Sequence, residues 1–117
     1  MPLSANEEFN IGNFRIREMY FEVKDATTEG HAHNFPHVTY VTRGSLLFEE
    51  LDGPMGNVVK SNVKTARDGK NFMLIKAHVY HRITALEDNC MGHCIYLHRD
   101  ADGKVSEEYQ GCEDSYC

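Results

Sequence analysis

Short runs of β-forming residues, separated by clusters of turn formers, recur along this chain, and helical periodicity is almost absent. The runs fall at 14–23 (FRIREMYFEV), up to His33, and at 38–41, 45–51 (SLLFEEL), 58–63, 71–75 (NFMLI), 81–86 (HRITAL), 92–98 (GHCIYLH) and 105–109. Asn34-Phe35-Pro36, Arg43-Gly44, the cluster from Asp52 to Asn57, Asp68-Gly69, Glu87-Asp88-Asn89 and Asp102-Gly103 punctuate them. Eight or nine short strands without crossover helices predict an antiparallel sandwich or barrel. At 117 residues the chain fits one domain, which can bury a core without disulfides. The expectation is therefore a single all-β domain over 1–117, in which the polar stretch 111–117 is a mobile tail unless an oligomer pairs it.

Charge and segment composition narrow the partners. A net charge of −6 argues against nucleic acid and anionic membranes, both of which select basic patches. No stretch reaches transmembrane length, and MPLSANEEFN lacks the basic-then-apolar pattern of a signal peptide, so a cytoplasmic location is expected. Without a secretory signal, the four cysteines Cys90, Cys94, Cys112 and Cys117 are poor candidates for disulfides. Their spacings are also loose for structural zinc, and the simplest reading makes Cys94 a small core residue.

Four histidines carry the chemistry. His31 and His33, two residues apart, leave the same face of a strand. After the bend at Asn34-Phe35-Pro36, His37 opens a new β-run, so one hairpin can aim three imidazoles at a point. His81 begins another alternating segment and can close the site. Neutral imidazole is a frequent ligand for first-row transition metals, and inward positions of a barrel converge on one cavity. A small-molecule substrate is the expected partner of such a cavity.

These residues resemble the cupin superfamily. His31-x-His33, then His37, then six residues to Gly44 follow the order and spacing of the first cupin motif. Lys76-Ala77-His78-Val79-Tyr80-His81 keeps the final histidine of the second. The resemblance spans residues 30–86 and implies a cupin-type antiparallel β-barrel (jelly roll) with His31, His33, His37 and His81 as metal ligands. It also implies a homodimer formed by sharing strands, for which the terminal segments are candidates. In this chain His37 stands where the family has glutamate, Lys76 where proline is common, and His78 where a turn glycine is usual. An all-imidazole set leaves the full charge on a divalent ion and puts no carboxylate in direct contact with it. Such a site suits iron, nickel, copper or zinc better than magnesium, calcium or manganese, and the dioxygenase chemistry that the resemblance suggests makes iron the expected ion. Ligation requires neutral rings, so affinity should fall below about pH 6.

Parity along the strands limits which other groups meet the ion. If His37 points inward, so do Thr39 and Val41; if His81 does, so do Ile83 and Ala85. On 92–98 either Cys94, Tyr96 and His98 face inward, or the more apolar set His93, Ile95 and Leu97 does. Tyr96 is the candidate catalytic residue, a proton donor or base beside the metal. Arg15, Arg17 and Tyr20 either meet an anionic substrate at the mouth or guard a strand edge. The leading functional expectation is a mononuclear non-haem dioxygenase acting on a small organic substrate. The alternatives are a redox-neutral isomerase or lyase that uses Tyr96 or His98, and a non-catalytic metal- or ligand-binding cupin.

Overall fold

Alternation of apolar and polar residues with a period of two, interrupted by Gly, Asn and Asp, produces a fold built from strands. The computed structural model describes residues 5–28, 32, 36–54, 56–69, 71–97 and 104. Among these are eight strands: β1 (Ala5–Ile11), β2 (Phe14–Phe21), β3 (His37–Arg43), β4 (Ser45–Leu51), β5 (Val58–Thr65), β6 (Phe72–Ile75), β7 (Tyr80–Ala85) and β8 (Cys90–Leu97). A five-stranded sheet has the order β1-β2-β8-β3-β6, and a three-stranded sheet the order β5-β4-β7. All pairings are antiparallel. The expected jelly roll is present, as two facing sheets rather than one closed hydrogen-bonded cylinder. No helix among the described residues is long and apolar enough to cross a membrane. The run expected at 105–109 and the tail 111–117 lie outside the described residues.

β1 is the strand the sequence pattern did not announce. Its ANEEFNI has few large apolar residues, and it takes its structure from a full antiparallel register with β2. A two-residue turn joins the pair, with Gly12 at φ +57° in the first central position, where a Gly-first hairpin turn needs a left-handed residue. Segment 25–28 is not counted as a strand, yet it lies along the outer edge of β7. Asp25 N–H donates to Ala85 O, Ala85 N–H to Ala26 O and Thr28 N–H to Ile83 O, each at 2.9 Å. That edge is therefore covered rather than open.

Gly44 is the single residue between β3 and β4, so it carries the chain from the larger sheet to the smaller. Its φ is +76°, and an added Cβ would sit 2.5 Å from Cys90 Sγ. Glycine is required here on both counts. The facing sides of the sheets bury Met19, Phe21, Val41, Leu46, Phe48, Ile83 and Ala85 in one core. Towards the other end of the same strands the inward positions become polar: Arg17, Thr39 and His37 on the larger sheet, His81 and Glu50 on the smaller. The sandwich is oily at one end and chemically equipped at the other.

Candidate metal centre

Two of the four expected ligands fall within the described residues. In β3 the positions His37, Thr39 and Val41 are buried, and in β7 so are His81, Ile83 and Ala85, as strand parity predicted. Because β3 and β7 belong to opposite sheets, the two imidazoles approach from opposite walls. Their ring centroids are 5.6 Å apart, edge to face at 62°. His37 is 4% and His81 2% exposed, with both Nε2 atoms buried. His31 and His33 lie outside the described residues, as do His98, Cys112 and Cys117. Among the described residues alone, no three His, Cys, Asp or Glu side chains gather into a metal-binding group.

Each ring has a hydrogen-bond partner at Nδ1. His81 Nδ1–H donates to Val79 O at 3.0 Å. His37 Nδ1 lies 3.3 Å from Thr39 Oγ1, which lies 3.2 Å from Cys94 Sγ, and Cys94 S–H points to Met19 Sδ at 4.0 Å. Met19 can only accept, whereas Thr39 and Cys94 can each donate or accept, so the chain links the His37 ring to the core through two groups of either polarity. Burial pushes the Cys94 thiol pKa up, which keeps its proton in place. The His81 ring thus carries hydrogen on Nδ1 and a lone pair on Nε2, the arrangement a metal-ligating histidine uses, and the Thr39 hydroxyl can accept from His37 Nδ1–H in the same way. Burial, reinforced by the charge of Arg17, lowers the pKa of His81 against the opposing pull of the Val79 carbonyl and Glu50. A neutral ring is what ligation requires. As a pair of buried imidazoles, His37 and His81 are donors of the kind a transition ion accepts.

Sequence reasoning missed two polar neighbours of these rings. The sequence pattern places Arg17 at a strand edge or site mouth, but β1 covers β2, and the side chain faces inward with 3% exposure. Its Nε–H donates to Asn6 Oδ1 at 2.6 Å, and it stands across from Cys94 in the β2–β8 register. The signal was available: Arg17 shares its parity with Met19 and Phe21. Glu50 pairs with His81 across β4 and β7 and shares the inward parity of Leu46 and Phe48. No carboxylate was expected within the motif, and this one arrives from another strand. Glu50 and His81, with Phe48, Lys60, Met73 and Ile75, help line a shallow cleft that opens beside His81.

The open choice on β8 resolves in favour of Cys94 and Tyr96, which are buried, while Leu97 is exposed on the other face. His93 also faces outward, with its Nε2–H donating to Glu18 Oε2 at 3.0 Å. Burial, followed by the carboxylate of Glu8, pushes the Tyr96 pKa up to about 12, against the opposing charges of Arg15 and Arg17. At neutral pH the phenol keeps its proton, so it can donate a hydrogen bond or a proton rather than accept one as a base. His78 is exposed in the β6–β7 turn at φ +63°. This is a left-handed conformation, which glycine adopts more readily than an L-residue does.

No protein-family model matches the sequence, and no curated protein matches it. Solved structures do. An RmlC-like cupin family protein with a double-stranded β-helix fold from Methanocaldococcus jannaschii aligns with TM-score 0.64 at 10% identity, covering 92% of this chain and 84% of that one. A cupin-2 domain containing protein from Shewanella frigidimarina aligns with TM-score 0.60 at 15% identity over 83% of both chains. A recombinant oxalate oxidase in complex with glycolate aligns with TM-score 0.63 at 15% identity, over 80% of this chain and 50% of that one. At these identities the likeness is one of fold.

Proposed function

This chain has the cupin fold, and on that premise we propose that it is a mononuclear metal-dependent enzyme acting on a small anionic organic substrate, with dioxygenase chemistry. The observation that carries this reading is the convergence of His37 and His81 from opposite sheets, each with a partner at Nδ1 and a buried Nε2. His31 and His33 complete the ligand set in this reading, and segment 25–28, which precedes them in sequence, is hydrogen-bonded to the strand that carries His81. A bound Fe(II) would supply Lewis acidity and one-electron chemistry towards dioxygen.

The protein's own groups have separate tasks. The cleft beside His81 admits the substrate, with Phe48, Met73 and Ile75 against its apolar body. Arg17 places a permanent positive charge in the same interior, which favours a carboxylate or other oxyanion. The oxalate oxidase with glycolate is in keeping with a small carboxylate, although its kinship is in fold. Tyr96 holds a proton at its phenolic oxygen. These polar groups around the imidazoles weigh against a purely structural or storage role for the ion.

The test is metal content of protein purified without chelators, followed by anaerobic iron reconstitution and oxygen-uptake assays on small organic acids. Bound transition metal, its loss in His37→Ala and His81→Ala, and iron-dependent oxygen uptake are expected. Stoichiometric zinc with no turnover on iron would overturn the dioxygenase reading. A second reading, redox-neutral isomerase or lyase chemistry, is favoured by the protonated, buried Tyr96. It predicts turnover with zinc or nickel without oxygen, and loss of turnover but not of metal in Tyr96→Phe.

A further inference from the structure

Each of the two converging imidazoles is accompanied by a lysine to which ligation of an ion gives no task. On the smaller sheet Lys60, Glu50 and His81 form one row across β5, β4 and β7, all at inward positions. With neighbouring strands about 4.8 Å apart, the backbone of Lys60 stands about 10 Å from that of His81 along this row. On the larger sheet His37 pairs with Ile75 at the end of β6, and Lys76 follows it in the chain. β5 and β6 are edge strands of their sheets, and both lysines line the cleft beside His81. Each sheet thus brings one imidazole to the interior and one ammonium group to the mouth. The other charges there are accounted for differently. Arg82 is held by Glu49 at 3.0 Å, so that pair is balanced within itself. Among the described residues neither Lys60 nor Lys76 is in an ion pair, and both are exposed. The cleft walls hold three cations against two carboxylates, in a chain whose net charge is −6. A local positive excess on an acidic protein draws anions to that spot rather than to the surface at large.

We propose that Lys60 and Lys76 bind a second oxyanion of the substrate, which is therefore a short organic acid with a carboxylate at each end. The proposal rests on the metal-enzyme reading above. One carboxylate lies at the ion and Arg17, the apolar middle lies along Phe48, Met73 and Ile75, and the other carboxylate lies at the two lysines. Glu50 stands between Lys60 and His81 in the row and repels any carboxylate placed beside it, so the two anionic ends are kept apart. A zwitterion would instead pair its ammonium with Glu50 and leave the lysines unused. Lysines also guard open strand edges, and that role alone would account for Lys60 on β5. It does not account for Lys76, which lies beyond the end of β6 and yet turns up in the same cleft.

The test is calorimetric titration of zinc-loaded full chain, in which binding is read without oxygen chemistry, after its metal content has been measured. Succinate and glutarate are compared with butyrate and pentanoate, the monoacids of the same lengths. Each diacid should bind about 10-fold tighter than its monoacid, since two exposed ion pairs contribute about 3-fold each. Lys60→Gln and Lys76→Gln should each lower diacid affinity about 3-fold while leaving monoacid affinity, zinc content and the far-ultraviolet dichroism spectrum unchanged. Lys64→Gln makes the same charge change on β5 outside the cleft and should leave the diacid preference intact. Diacids that bind no tighter than monoacids overturn the proposal. So does an equal loss in Lys64→Gln, which would reduce the effect to net charge, or tighter binding of 4-aminobutyrate than of succinate, which would assign the cleft to a zwitterion. A Lys60→Gln chain that self-associates with unchanged diacid affinity counts against it too, because it makes Lys60 an edge guard. If the chain takes up no metal, the metal-enzyme reading fails separately, and the lysines are judged by the same diacid-to-monoacid ratio in metal-free protein.

Discussion

Thr39 and His78 show how much a single side chain settles. Thr39 is fully buried, and its hydroxyl is the link between His37 Nδ1 and Cys94 Sγ. Thr39→Val keeps the shape and removes the link, so His37 loses its hydrogen-bond partner at Nδ1. Metal affinity, read by competition with a chromophoric chelator, should fall about 10–100-fold while the fold persists. An unchanged affinity would reduce Thr39 to a packing residue. His78 occupies a left-handed conformation, which costs an L-residue about 1–2 kcal/mol. Part of that is offset by the extra freedom glycine has in the unfolded chain, so His78→Gly should stabilise by up to about 1 kcal/mol. A rise in the urea midpoint with unchanged metal content is the expected result. Loss of metal would show that the exposed imidazole takes part in binding after all.

Among the elements, the corner at Gly44 decides whether the two sheets face each other correctly. Gly44→Ala forces a methyl group against Cys90 Sγ and places alanine at φ +76°. The combined cost should be about 2–5 kcal/mol, seen as a lowered denaturation midpoint. Cys90→Ala in the same chain should recover the steric part and leave the backbone part, so the two changes should be non-additive. Ser45–Leu51, read from SLLFEEL, is the same span in the sequence pattern and in the structure. Six other runs shifted only at their ends. β1 escaped notice because its alternation is shallow: its inward positions Asn6 and Glu8 are polar and serve Arg17 and Arg15. Without β1, β2 looks like an edge strand, and this is why Arg17 was misplaced. The facing of β8 was ambiguous for a related reason. Its more apolar side turns outward because the outer face of that sheet is itself apolar, so hydrophobicity alone could not orient the strand.

For the molecule as a whole, the polar end of the sandwich links stability to pH. Burial holds the His81 pKa below its usual value, so when the metal-free chain is acidified the unfolded state takes up the proton first. Stability should fall as the pH drops through about 6.5, the ordinary histidine value, and His81→Gln should flatten that slope. Tyr96 acts in the opposite range. Its pKa is raised to about 12, so the unfolded phenol ionises first and stability should decline as the pH climbs from about 10 towards that value. Urea midpoints measured across both ranges check the two signs, and a flat profile between pH 5 and 7 would contradict the first. The sequence by itself determined seven of the eight described strands, the parity of His37 and His81, the break at Gly44 and the resemblance that runs through the histidine spacing. These are local properties, written in a period of two and in backbone angles. Only the tertiary structure decided that His37 and His81 meet from opposite sheets, that Arg17 and Glu50 turn towards them, that Tyr96 faces in, and that an apolar face is left on the outside. Such facts depend on which strands become neighbours, and pairing between distant segments is set by the packing of the whole chain rather than by any one stretch of it.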